Sequence, residues 1–120
     1  MFTVYKTTTF ESAHLLEGHP KCGKLHGHSY KAEFWVTTEA LTEPHGFVID
    51  FHFFSDLAKT YDHSDIVIKI SCEELAEAFC EQVRNQMSAQ SNGLGAKIKV
   101  RIWETATSSA QYEVRVTETV

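Results

Sequence analysis

The spacing of apolar residues along the chain predicts four strands and two helices. Residues 2–12 and 26–37 are rich in β-branched and aromatic side chains, and residues 97–103 alternate between polar and apolar positions. Both patterns are typical of half-buried strands. A fourth strand is predicted at 112–116, where Tyr, Val and Val again share one face.

Two helices are predicted between the second and third strands. Residues 51–60 follow Asp50, a residue type that caps helix N-termini. Ser71 and Glu74 form the S-x-x-E pattern of a capping box, and the apolar residues that follow at helical spacing are Cys72, Leu75, Ala76, Phe79, Val83 and Met87. The order ββααββ predicts an α+β fold, a four-stranded antiparallel sheet with two helices on one face.

Length and charge narrow the class of protein. The 120 residues suit one domain, 1–120, and the net charge is −5 with Lys and Arg scattered, so we expect no nucleic-acid partner. The sequence has no run of about 18 apolar residues, so no membrane-spanning helix is predicted. Residues 1–6 lack the basic start and apolar stretch of a signal peptide, and the three cysteines do not suggest a disulfide framework. We therefore expect a cytoplasmic protein.

Three histidines in a short window carry the strongest chemical signal. His26 and His28 are two residues apart on a predicted strand, so their rings point to the same face. An antiparallel first strand would bring His14, which shares the parity of Phe10, beside them. Three imidazoles with no evident fourth ligand are typical of a catalytic zinc site with one open position. The alternative interpretation is ordinary core or surface histidines.

Three further places in the sequence could supply acid–base or binding groups. Cys22 lies four residues before His26, and a thiol beside a dication loses its proton more readily. Asp62 could hold the tautomer of the adjacent His63 for proton transfer. Glu104 ends the buried face of the third strand, where a carboxylate could accept two parallel N–H groups. The alternative interpretations are that Cys22 packs within a loop, that Asp62 and His63 are a polar pair on the surface, and that Glu104 is solvated beyond the end of the strand.

Taken together, these motifs resemble those of the 6-pyruvoyl-tetrahydropterin synthase family, and within it the branch that makes 6-carboxy-tetrahydropterin. They occur in the family's order and span nearly the whole chain, which makes the set far more specific than any single motif. The segments are Phe10-Glu11-Ser12-Ala13-His14, Cys22-Gly23-Lys24-Leu25-His26-Gly27-His28, Val48-Ile49-Asp50-Phe51, Asp62-His63 and Trp103-Glu104-Thr105.

The resemblance implies a tunnelling (T-fold) domain that assembles into homo-oligomeric rings with active sites at subunit interfaces. It implies Zn²⁺ as the cofactor. The roles it implies are zinc ligation by His14, His26 and His28, proton transfer by Cys22, Asp62 and His63, and anchoring of the pterin substrate by Glu104.

The implied reaction converts 7,8-dihydroneopterin triphosphate to 6-carboxy-5,6,7,8-tetrahydropterin, acetaldehyde and triphosphate, on the route to queuosine. One alternative is 6-pyruvoyl-tetrahydropterin synthase chemistry, which eliminates triphosphate and keeps the side chain. Another is a non-catalytic zinc or pterin-binding module, which the short segments 50–62 and 63–71 allow.

Overall fold

Two long strands joined by a loop form the central hairpin of a five-stranded sheet. The computed structural model describes residues 1–21 and 23–120, so predictions about Cys22 lie outside the described residues. The elements are β1 (Phe2–His14), β2 (His26–Thr38), α1 (Phe51–Lys59), β3 (Val67–Ile68), α2 (Cys72–Ser88), β4 (Lys97–Thr105) and β5 (Ser108–Arg115).

The β1–β2 hairpin keeps one register along its whole length. Pairing is antiparallel and continuous from Phe2 opposite Thr38 to His14 opposite His26. Without a bulge, alternate side chains stay on one face from end to end. The buried face of β2 therefore runs from Val36 down to the histidines, as its parity predicts.

The sheet has one strand more than the sequence pattern predicts. Its order is β3-β1-β2-β4-β5, and β3 pairs parallel to β1, with Val67 opposite Ala13. The prediction of a four-stranded, purely antiparallel sheet is therefore wrong in this respect. A strand of two residues contains no period that a sequence could reveal, and β3 forms because the edge of β1 offers it a partner.

Both predicted helix starts are confirmed. The Asp50 carboxylate accepts a hydrogen bond from the His52 N–H at 2.9 Å at the start of α1. At the start of α2, the Ser71 hydroxyl accepts from the Glu74 N–H and the Glu74 carboxylate accepts from the Ser71 N–H. These bonds satisfy N–H groups that a helix leaves without partners in its first turn.

The core lies between the helices and one face of the sheet. The ring of Phe79 on α2 lies 5.7 Å from that of Phe10 and 6.2 Å from that of Phe34. At the end of this core, the buried ring of Tyr30 lies 5.5 Å from His28. The histidines thus occupy the polar end of a packed apolar layer. In the part of the chain that the structure describes, neither helix is long and apolar enough to cross a membrane.

Candidate metal centre

The hairpin register brings the three predicted histidines together. His14 Nδ1 lies 3.2 Å from His26 Nε2, which lies 2.9 Å from His28 Nε2. His14 is buried and His28 is partly exposed, so the cluster has a closed side toward the core and an open side toward solvent.

Two main-chain carbonyls orient the rings. The carbonyl of Ile70 lies 3.0 Å from His14 Nε2, and that of Lys24 lies 2.6 Å from His26 Nδ1. A carbonyl only accepts hydrogen bonds, so these two ring nitrogens donate. In the neutral rings, His14 Nδ1 and His26 Nε2, the nitrogens that face the cluster, therefore keep their lone pairs, as metal ligands must.

The donor set fits a divalent metal ion. Ring nitrogens that face each other at these separations either share a proton or bind a cation that lies between them. Two nitrogens bound at roughly 2.0–2.1 Å to a tetrahedral zinc lie about 3.3 Å apart. Burial lowers the pKa of His28, against an opposing effect of the nearby Glu104 carboxylate. A lowered pKa favours the neutral, metal-binding form of the ring. Imidazole donors suit zinc among the transition metals.

Glu104 reaches the same cluster from β4. Its Oε1 lies 3.1 Å from His28 Nε2 and 3.5 Å from His14 Nδ1. One donor atom from each of the three histidines and from Glu104 lies within 4.8 Å of the others. The prediction that Glu104 continues the buried face of its strand is confirmed by these contacts, whereas its approach to the histidines was missed. The antiparallel pairing of β2 with β4 is what brings them together.

Glu104 also faces a second space. A cavity of about 330 Å³ is lined by its side chain together with Cys72, Glu73 and the first residues of β5, Ser108, Ser109, Ala110 and Gln111. The Glu104 side chain is 22% exposed. Its carboxylate therefore stands at the boundary between the histidine cluster and this cavity.

Asp62 and His63 form a pair beside the cluster rather than within it. His63 Nδ1 lies 3.0 Å from Asp62 Oδ1, which also accepts the Glu11 N–H at 2.8 Å. That backbone bond, followed by the contact with His63, lowers the pKa of the Asp62 carboxyl. His63 and His28 line one open cavity of about 340 Å³, so a molecule in it could touch both rings.

The thiols of the two described cysteines are poorly suited to chemistry at neutral pH. Burial, followed by the charge of Glu104, raises the pKa of Cys72 to about 11, and burial raises that of Cys80 to about 12. Cys72 Sγ donates to the Ile102 carbonyl at 3.2 Å. These contacts make both side chains packing residues of α2, and the candidate proton carrier Cys22 lies outside the described residues.

Sequence reasoning missed the carbonyls of Lys24 and Ile70. Every residue carries a carbonyl, so no side-chain pattern marks the ones that orient a histidine. The Gly-containing loop before β2 and the short link between β3 and α2 place them, and both placements depend on tertiary contacts.

The sequence profile of one family, described as 6-pyruvoyl tetrahydropterin synthase, matches residues 3–115 of the chain. A protein of Synechocystis named 6-carboxy-5,6,7,8-tetrahydropterin synthase is 30% identical, over 93% of this chain and 93% of its own length. A protein of the same name from Haemophilus influenzae is 28% identical, over 94% of this chain and 99% of its own length.

Solved structures share the fold. The 6-pyruvoyl tetrahydropterin synthase of Caenorhabditis elegans superposes with a TM-score of 0.68 at 23% identity, covering 94% of this chain and 95% of its own. The 6-pyruvoyl tetrahydropterin synthase of Plasmodium vivax superposes with a TM-score of 0.62 at 15% identity, covering 96% of this chain and 99% of its own. These similarities confirm the predicted α+β T-fold.

Proposed function

The chain belongs to the 6-pyruvoyl tetrahydropterin synthase family, and we propose that it is a zinc-dependent 6-carboxy-5,6,7,8-tetrahydropterin synthase of the cytoplasm. Its reaction would convert 7,8-dihydroneopterin triphosphate to 6-carboxy-5,6,7,8-tetrahydropterin, acetaldehyde and triphosphate, within queuosine biosynthesis. Relatives that carry this name align with most of the chain. The observation that carries the proposal is that one nitrogen from each of three imidazoles lies in a single cluster, with two of the rings oriented by main-chain carbonyls.

His14, His26 and His28 would hold the zinc. When bound there, zinc polarises side-chain oxygens of the substrate and acidifies the adjacent C–H and O–H groups. The Ile70 carbonyl keeps Nδ1 of His14 free for ligation. The buried side of the cluster, closed by Tyr30, excludes water from behind the histidines.

The protons that leave the substrate need carriers on this chain. We assign that role to the Cys22 thiol and to His63, with Asp62 holding the His63 ring through the contact at Nδ1. This contact leaves Nε2 of His63 as the nitrogen that exchanges protons. The cavity that His63 shares with His28 supports a position beside the substrate. Glu104 would bind the amino-pyrimidine edge of the pterin.

A turnover assay with product identification tests the proposal. Zinc-loaded protein is incubated with 7,8-dihydroneopterin triphosphate, and the products are identified by mass. We expect 6-carboxytetrahydropterin together with acetaldehyde. A 6-pyruvoyl product that retains the side chain would replace this proposal with the alternative synthase activity. Binding of the pterin without any product would instead indicate a non-catalytic module.

We also propose that the protein is a homo-oligomer with interfacial active sites. The outer strand β5 has a free edge in the described chain, and Phe2, Phe47 and Phe51 are each about half exposed around one cavity of about 750 Å³. Paired edges and covered apolar patches are what closed assembly provides.

Sedimentation at micromolar concentration should therefore show a closed oligomer. Phe47→Asp should shift the distribution toward smaller species, because it places a charge in the patch. Leu94→Asp is the matched control, since Leu94 is also exposed but lies outside this patch. A wild-type protein that sediments only as monomer would contradict the assignment.

A further inference from the structure

We propose that Glu104 is a fourth, exchangeable ligand of the metal in the substrate-free protein, and that it leaves the metal when its carboxylate takes up the pterin edge. The displacement by pterin rests on the proposed function, whereas ligation by Glu104 does not. The sequence alone predicts an open fourth position, and the structure brings a carboxylate oxygen of Glu104 to the histidine cluster.

The Glu104 carboxylate lies close enough to two of the histidines to share a metal ion with them. Glu104 Oε1 lies 3.1 Å from His28 Nε2 and 3.5 Å from His14 Nδ1. These separations bracket the roughly 3.3 Å between two donors of one tetrahedral zinc. They also match the distances among the histidine nitrogens themselves, 3.2 and 2.9 Å. The carboxylate oxygen therefore lies about as close to His28 and His14 as the ring nitrogens of the cluster lie to one another.

The negative charge of the Glu104 carboxylate beside the histidines also favours a metal ion between them. Among residues 1–21 and 23–120, the basic side chains beside the Glu104 carboxylate are His14 and His28, and no Lys or Arg forms an ion pair with it. A neutral His14 faces the carboxylate with the lone pair of Nδ1, because the proton at Nε2 is donated to the Ile70 carbonyl. An anion directed at a lone pair is unfavourable unless a cation lies between them. A divalent ion bound by all four donors removes this repulsion.

The position of Glu104 in the sheet allows its carboxylate to exchange the metal for a pterin. Glu104 lies where the pairing of β4 with β5 shifts register, between Trp103 and Thr105, and its side chain also lines the cavity beside Cys72. A carboxylate that accepts two parallel N–H bonds uses both oxygens, and Oε1 is the oxygen directed at the histidines. The pterin edge and the metal would therefore both use Oε1, and binding to a dication weakens that oxygen as a hydrogen-bond acceptor.

This competition links recognition to opening of the metal site. A pterin that enters the cavity and takes Glu104 would free the fourth position at the moment when its own side chain is near the metal. Without pterin, the site would stay closed by four protein ligands, which is the arrangement that protects a metal from solvent.

The test measures the metal rather than turnover. Zinc affinity is determined by chelator competition for the wild type, Glu104→Gln and Glu104→Asp, with Glu73→Gln as the matched control. Glu73 lines the same cavity but is not among the converging donors. We expect Glu104→Gln to weaken zinc binding by at least about 10-fold, since even partners outside the ligand shell contribute that much. Glu104→Asp should be intermediate, and Glu73→Gln unchanged.

Cobalt supplies the second measurement, because the visible absorption of Co²⁺ reports its ligands. With Co²⁺ in the site, 7,8-dihydroneopterin should change the wild-type spectrum. Glu104→Gln should differ from the wild type before pterin is added. Equal zinc affinities and equal cobalt spectra for the wild type and Glu104→Gln would overturn the proposal. If Glu104→Gln weakens zinc binding but the wild type yields no pterin product, Glu104 is upheld as a metal ligand and only the proposed function is overturned.

Discussion

Replacing His28 with alanine is expected to release the metal. Bound zinc should fall from about one ion per chain by at least 10-fold, and pterin turnover should fall to background. The physical reason is that His28 supplies one of three imidazole nitrogens that meet within a few ångströms. Its ring is partly exposed, so its removal leaves the apolar core around Phe79 in place.

The matched control is His52→Ala. His52 is a histidine of the same chain, but its ring is exposed, contacts the Asp50 carboxylate and is not among the converging donors, so metal content should stay at the wild-type level. Metal is measured by emission spectroscopy after gel filtration, and folding is checked by thermal melting. Full zinc retention by both His28→Ala and His26→Ala would show that these rings do not hold the ion.

Replacing Cys22 with alanine is expected to lower kcat by roughly 100-fold or more, with zinc retained. That magnitude is typical of a general acid–base group, and loss of a proton carrier acts on kcat rather than on substrate binding. Cys22 precedes Lys24 by two residues, and the Lys24 carbonyl holds the His26 ring at 2.6 Å. A thiol in that segment is therefore close in sequence to the metal centre, where a cation favours the thiolate.

Cys80→Ala is the control for this measurement. Its buried thiol, with a pKa raised to about 12, contacts the Ile98 carbonyl in the core, so its loss should cost stability but not kcat per folded molecule. Steady-state kinetics on both variants, with zinc content measured in each, separates the two cases. A Cys22→Ala protein with the wild-type kcat would show that the Cys22 thiol takes no part in catalysis.

Most of the secondary structure was predictable because its signals are local. The S-x-x-E capping box and the alternation in residues 97–103 each span only a few positions, and both are confirmed. The strand β3 was not predictable, because two residues carry no period and pair only when β1 is already in place. That short strand is followed closely by Ile70, whose carbonyl orients His14.

For the site, the sequence by itself determined which histidines could meet. The i, i+2 spacing of His26 and His28 places both rings on one face of any strand, and the parity of His14 matches theirs. Side-chain direction along a strand is a property of neighbouring residues, so it can be read without a structure.

Only the tertiary structure decided which atoms converge. The nitrogens that His14 and His26 direct at the cluster depend on carbonyls from two separate loops. The position of Glu104 beside them depends on the pairing of β2 with β4, about 70 residues apart in the chain. Such contacts are set by the register of distant segments, which packing of the whole core selects. The proximity of Glu104 to the three histidines therefore depends on the fold and not on any local sequence pattern.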